Sequence, residues 1–171
     1  MFRESQSDEK YWRRIERWNK HPDKALLTFL DVDQRLMSDI YHDWIRDHHF
    51  LASVASLQQI SSVATPEAKL EAILAMFRDI TTSNTAVTWS MDALLPVCMY
   101  VMVRARVPQL GAELAMLEDL MEPYMCKVSI TLLYILNDLI INYPRNSKTF
   151  FLKVVPTHAV MSSLLKFSEK I

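Results

Sequence analysis

The sequence predicts an all-α fold, a helical bundle of roughly seven to nine helices, on three observations. Apolar residues recur at offsets of three and four along most of the chain, the spacing of one helix face. Prolines and small polar residues stand where those stretches begin and end. The chain has one glycine, Gly111, in 171 residues. Hairpin turns and phosphate-cradling loops both need glycine, so hairpin-rich β folds, Rossmann folds and P-loop enzymes are excluded.

The composition agrees. At 50% hydrophobic and 23% charged, the chain can bury a core and is not disordered. A net charge of −1 gives no general attraction to nucleic acid, and none is expected as a partner. Cys98 and Cys126 lack metal-ligand or CxxC spacing, which fits a reduced, cytoplasmic setting. The polar stretch Met1–Gln6 does not read as a signal peptide.

Each element has its own justification. Asp8–Lys20 carries Tyr11, Ile15 and Trp18 at helical spacing, with acids leading and bases following as the helix dipole prefers. Arg13, Arg14 and Arg17 read as a solvated face because Glu9 and Glu16 are interleaved. Pro22 opens a second helix with Ala25, Leu26, Phe29 and Leu30 on its apolar side. Asp31–Asp33 caps a third, bearing Leu36, Ile40, Trp44 and Ile45. Phe50–Val63 is helical through Leu51, Val54, Leu57 and Ile60 or Ser61. Thr65 as N-cap and Pro66 at the first helical position start the next helix, striped by Leu70, Ile73, Leu74, Phe77 and Ile80. Thr81–Thr85 is expected to be a polar loop.

Ser90 then caps a helix near 91–106, with Asp92 in its first turn. Its run Leu94–Val103 is apolar on all sides, so it should be buried on all sides. At about ten residues the run is far short of the roughly 20 that span a bilayer. Pro96 falls early enough to cost little or to kink the helix mildly. Arg104 and Arg106 close it, Val107-Pro108 turns, and Leu110, Leu114, Leu117, Leu120 and Met121 mark the next helix, which ends at Glu122-Pro123. Val128–Ile141 is apolar but broken by Asn137 and Asp138, which favours a helix on the bundle over a membrane anchor. Tyr143–Ser147 reads as a loop and Pro156 as the lead into a final short helix.

His42-Asp43 and Asp47-His48-His49 invite a metal-site reading. His42 and His48 are six apart and point in different directions on a continuous helix, and only His158 follows, so no metal site is expected. Charge divides the chain. Residues 1–124 carry 13 Lys/Arg against 18 Asp/Glu, and residues 125–171 carry 6 against 2.

The segment Ser90–Tyr124 resembles the core of the vacuolar-protein-sorting-nine (Vps-nine) domain. The matching residues are Ser90, Met91, Asp92, Leu94, Leu95 and Pro96, then Tyr100 and the turn Pro108-Gln109-Leu110. Upstream, Leu57-Gln58-Gln59-Ile60 and Pro66, Lys69, Leu70 and Ile73 match the preceding family helices. Tyr11-Trp12, Asn19-Lys20, Asp23–Leu27, Phe29-Leu30 and Leu117–Tyr124 are similar to the alsin-like branch. The resemblance covers roughly residues 10–124.

The resemblance implies a guanine-nucleotide exchange factor for early-endosomal Rab-five-type GTPases, working without cofactor or metal of its own. It implies that Asp92 is an acidic finger that competes with phosphate and magnesium for the GTPase's P-loop lysine. It implies that Met91, Leu95 and Pro96 are the GTPase-binding residues beside it. The setting is the cytoplasm and early-endosome surface, with membrane contact only through the GTPase. A second copy of the chain or an alsin-type protein is a further expected partner. After Tyr124 the family's glycine-containing segment and aromatic-x-Thr motif are not found; Ser129-Ile130-Thr131-Leu132 stands in that region. The expected organisation is therefore residues 1–124 as a helical Vps-nine-like unit and 125–171 as a divergent helical tail packing on it. The alternative function that follows is a catalytically impaired or regulatory, adaptor-like protein that binds a GTPase or an alsin-type partner.

Overall fold

A computed structural model of the chain describes residues 2–36, 50–83, 88–120 and 127–143. Among the described residues there is no strand and, beside the opening turn of another helix at 34–36, there are seven α-helices. They are α1 (Phe2–Asn19), α2 (Asp23–Phe29), α3 (Leu51–Gln58, followed by a 3-10 turn, Gln59–Ser61), α4 (Pro66–Ser83), α5 (Met91–Ala105), α6 (Leu110–Leu120) and α7 (Lys127–Asn142). The expected third helix beyond Leu36, the His42–His49 cluster and the elements after Tyr143 lie outside the described residues.

The core is built around α5. Every residue from Leu94 to Val103 is buried, as an all-apolar helix requires. It passes against α1, α2, α3, α4 and α7. Each large side chain fully buried there contributes about 1.5–3 kcal/mol. The stripe of α4 faces inward at Leu70, Ile73, Phe77 and Ile80, and α1 buries Tyr11, Ile15 and Trp18. The other side of the bundle is closed by α7, which packs on α1, α5 and α6 through Leu132, Leu133, Leu136 and Ile140.

Several expectations need correction. The helix α4 continues through Thr81, Thr82 and Ser83 instead of ending before them. Their hydroxyls donate back to carbonyls of the preceding turn: Thr81 to Phe77, Thr82 to Arg78 and Ser83 to Ile80, at 2.7–3.0 Å. Leu51 is half exposed, because α3 turns Ser53 and Leu57 inward. The first helix begins at Phe2, ahead of the charged stretch that predicted it. The arginines of α1 are not one solvated face. Arg13 pairs with Glu9 on the surface, whereas Arg14 donates to the Ile141 carbonyl at 3.1 Å and lies over the Trp18 ring.

Two buried polar contacts lock helices together. Lys69 Nζ pairs with Glu113 at 2.7 Å and donates to the Ile60 carbonyl at 2.6 Å, joining α4, α6 and the 3-10 turn. Asp8, buried on α1, accepts the Gly111 N–H at 3.0 Å, and so caps the start of α6. The lone glycine is required here by space: a β-carbon at Gly111 would stand 2.6 Å from Asp8 Oδ1 and 3.5 Å from Asn137 Nδ2.

Candidate functional site

The entrance of α5 is set by three local devices. Trp89 donates its indole N–H to the Thr81 carbonyl at 3.0 Å, tying the approach segment to the end of α4. Ser90 is extended (φ −96°, ψ 165°) and its hydroxyl accepts the Ala93 N–H at 3.3 Å, so it is the N-cap the sequence predicted. Asp92 follows in the first turn with its side chain exposed. Among the described residues Asp92 has no ion-pair partner. The positive end of the helix dipole favours an anion at this position by about 0.3–1 kcal/mol.

Pro96 lies one turn further and is buried. Its ring nitrogen carries no hydrogen, so the Asp92 carbonyl receives no helical N–H from position 96. Leu95 is 0% exposed. Leu95 and Pro96 therefore do not form an exposed surface beside Asp92 in this arrangement. They root the acidic turn in the core, because an all-apolar helix leaves no outward face after its first turn. Of Met91, only the backbone is described, as the first residue of α5.

The far end of α5 is clamped. Arg104 donates to the Asn19 carbonyl at 3.1 Å and side-chain oxygen at 2.6 Å, donates to the His21 carbonyl at 2.8 Å, and pairs with Asp23. Its guanidinium also lies over the Tyr100 ring, 5.5 Å from the centroid. Arg106 ends the helix in the left-handed conformation (φ 51°) and lies over Trp12 of α1. In the sequence these two arginines show only as basic residues closing a helix. Nothing in the local pattern shows contacts to residues more than 80 positions away.

Thus a helix held at both ends and along its length carries one exposed carboxylate at its mouth. No group of three or more His, Cys, Asp or Glu side chains that could hold a metal occurs among the described residues. No helix among them is long and apolar enough to cross a membrane.

Residues 51–140 match the Vacuolar sorting protein 9 (VPS9) domain family. The chain belongs to the VPS9-domain family. The match spans α3 through most of α7, so it takes in the Asp92 helix and extends past Tyr124 into the segment distinguished above by its basic composition. Human alsin is 40% identical over 129 residues, which cover 67% of this chain and 8% of that protein. The mouse ALS2 C-terminal-like protein is 35% identical over 126 residues, 66% of this chain and 13% of that protein. The Drosophila melanogaster alsin homolog is 30% identical over 122 residues, 68% of this chain and 8% of that protein. The chain thus corresponds to a small part of the length of each of these relatives.

Proposed function

We propose that this chain is a guanine-nucleotide exchange factor for small GTPases of the Rab-five type, with Asp92 as its acidic finger. The observation that carries the reading is the exposed Asp92 carboxylate at the entrance of an otherwise buried helix. Membership of the VPS9-domain family and the likeness to alsin support it.

The chemistry is electrostatic and forms no covalent bond. In a GDP-bound GTPase the P-loop lysine and a magnesium ion neutralise the phosphates. A carboxylate brought to about 4 Å from that lysine gains about 4 kcal/mol at an effective dielectric of 20, and a phosphate at similar range is repelled by a comparable amount. The carboxylate thus replaces a phosphate in the lysine's coordination and lowers the barrier to GDP departure. Flexibility at the finger would waste this effect, because an entering charge must be held against the repulsion it meets. The Ser90 cap, the Trp89 anchor and the Arg104 clamp supply that rigidity. In this reading Met91 adjoins the GTPase, while Leu95 and Pro96 act by fixing the turn. The protein works at the early-endosome surface, reaching the membrane through its GTPase.

The test is release of a fluorescent GDP analogue from a Rab-five-type GTPase. Wild-type chain should accelerate release, and Asp92→Ala should remove at least about tenfold of that acceleration, or 1.4 kcal/mol of barrier. Complex formation with no acceleration would overturn the exchange reading in favour of a regulatory binder.

A further inference from the structure

A second concave site lies away from Asp92, where α1 and α2 meet the end of α7. A cavity of about 390 Å³ opens there, within the size range of ligand-binding clefts. Its walls include Trp18, Phe29 and Tyr143, whose rings meet pairwise at 5.2–5.3 Å. Arg14, Arg17 and His21 also line it, and among the described residues no acidic side chain does. A shallower hollow shares Ala25 and Phe29 with it and adds Lys24, which prolongs the basic border along α2.

Three features make this more than a fold between helices. Phe29 is 43% exposed, although its helix buries Leu26 and Leu27 completely enough to have no need of it. The polar lining groups are positioned in different ways. Arg14 is fixed by the Ile141 carbonyl and the Trp18 ring, His21 is held through its backbone by Trp18 and Arg104, and Arg17 has no ion-pair partner among the described residues. Of the acids nearby, Asp23 pairs with Arg104, and the Tyr143 hydroxyl, which donates to the Phe29 carbonyl at 3.5 Å, is pushed up by burial and secondarily by the charge of Asp31.

We propose that this cavity is the docking site for an acidic peptide segment of a partner protein, which inserts one aromatic side chain among Trp18, Phe29 and Tyr143. Charge complementarity sets the flanks of the segment. Carboxylates match guanidinium groups in a bidentate geometry, and Arg17, in no ion pair among the described residues, can take one. The aromatic walls set the anchor, since edge-on ring contacts continue the packing already present. Residues 144–171 carry five Lys/Arg against one glutamate, a composition that does not complement this basic border. A membrane headgroup would satisfy the arginines and leave the aromatic walls unfilled.

The proposal does not depend on the exchange reading, and its test does not involve nucleotide. The probe is a fluorescein-labelled heptapeptide with one tryptophan between two runs of three glutamates, titrated with the whole chain and followed by anisotropy. Saturable binding is expected, weakened about tenfold or more by Arg17→Glu and by Phe29→Ala, and by replacing the peptide's tryptophan with glycine. Arg13→Glu, an equal charge change on the same helix but outside the cavity, should alter affinity less than about twofold. Absence of saturable binding up to about 1 mM, or equal losses from Arg13→Glu and Arg17→Glu, would overturn the proposal. So would Arg17-dependent retention on phosphatidylserine vesicles by a chain that ignores the peptide.

Discussion

Gly111→Ala should destabilise the fold, although alanine is the better helix former. The added β-carbon would stand 2.6 Å from Asp8 Oδ1, so the carboxylate must retreat by about 0.8 Å to reach an ordinary contact of 3.4 Å. That movement breaks or strains the 3.0 Å hydrogen bond from the Gly111 N–H. Hydrogen bonds to charged groups contribute about 1.5–3 kcal/mol, and Asp8 is buried, so water does not replace the lost donor fully. Alanine returns at most about 1 kcal/mol of helix propensity, and less in a first turn. The net cost is about 1–2 kcal/mol, or a fall in Tm of about 2–8 °C for a chain of this size. Urea unfolding should show a lower midpoint with an unchanged slope. A double-mutant cycle makes the reasoning specific: with Asp8→Ala already present, Gly111→Ala should be neutral or stabilising. A Gly111→Ala single variant as stable as wild type, or the same cost in both backgrounds, would refute it.

Other outcomes follow from the same contacts. Lys69→Met should cost about 2–4 kcal/mol in urea unfolding because it strands Glu113, whereas Glu113→Gln should cost less, since Lys69 keeps the Ile60 carbonyl. Arg104→Ala should lower stability by about 2–3 kcal/mol and raise hydrogen exchange at the α1–α2 corner, where its Asn19 and His21 acceptors lie. Burial raises the Cys98 thiol from its ordinary 9.0, and burial with the Asp8 charge raises the Tyr11 hydroxyl from 10.0. Both groups bind their protons more tightly folded than unfolded. Their contribution is complete below about pH 9 and is lost as pH rises, when the unfolded chain ionises first. Unfolding midpoints should therefore fall above about pH 9, less steeply for Cys98→Ala.

What was legible in the sequence is what local physics decides. Thr65-Pro66 and Ser90 announce their helices because a cap acts within four residues, and both hydroxyls accept the expected N–H groups. The apolar run of α5 announced its own burial. The Thr81–Ser83 error has a local cause too: hydroxyls that favour loops can instead satisfy themselves on helical carbonyls. Asp92 was legible as an acid at a helix entrance and Leu95 as part of a buried run, but the exposure of the Asp92 side chain was not, since it depends on which helices surround the mouth of α5. The Arg104 clamp, the Asp8–Gly111 contact and the aromatic cavity join residues far apart in sequence, and no periodicity encodes them.

Nucleotide release from a Rab-five-type GTPase, measured side by side for wild type and Asp92→Ala, tests the central claim most directly. Loss of the exposed carboxylate should change folding stability by no more than about 1 kcal/mol, since only its helix-dipole contribution is removed. The account predicts a variant that unfolds at nearly the wild-type urea midpoint and no longer accelerates GDP release. Equal acceleration by the two proteins would contradict it.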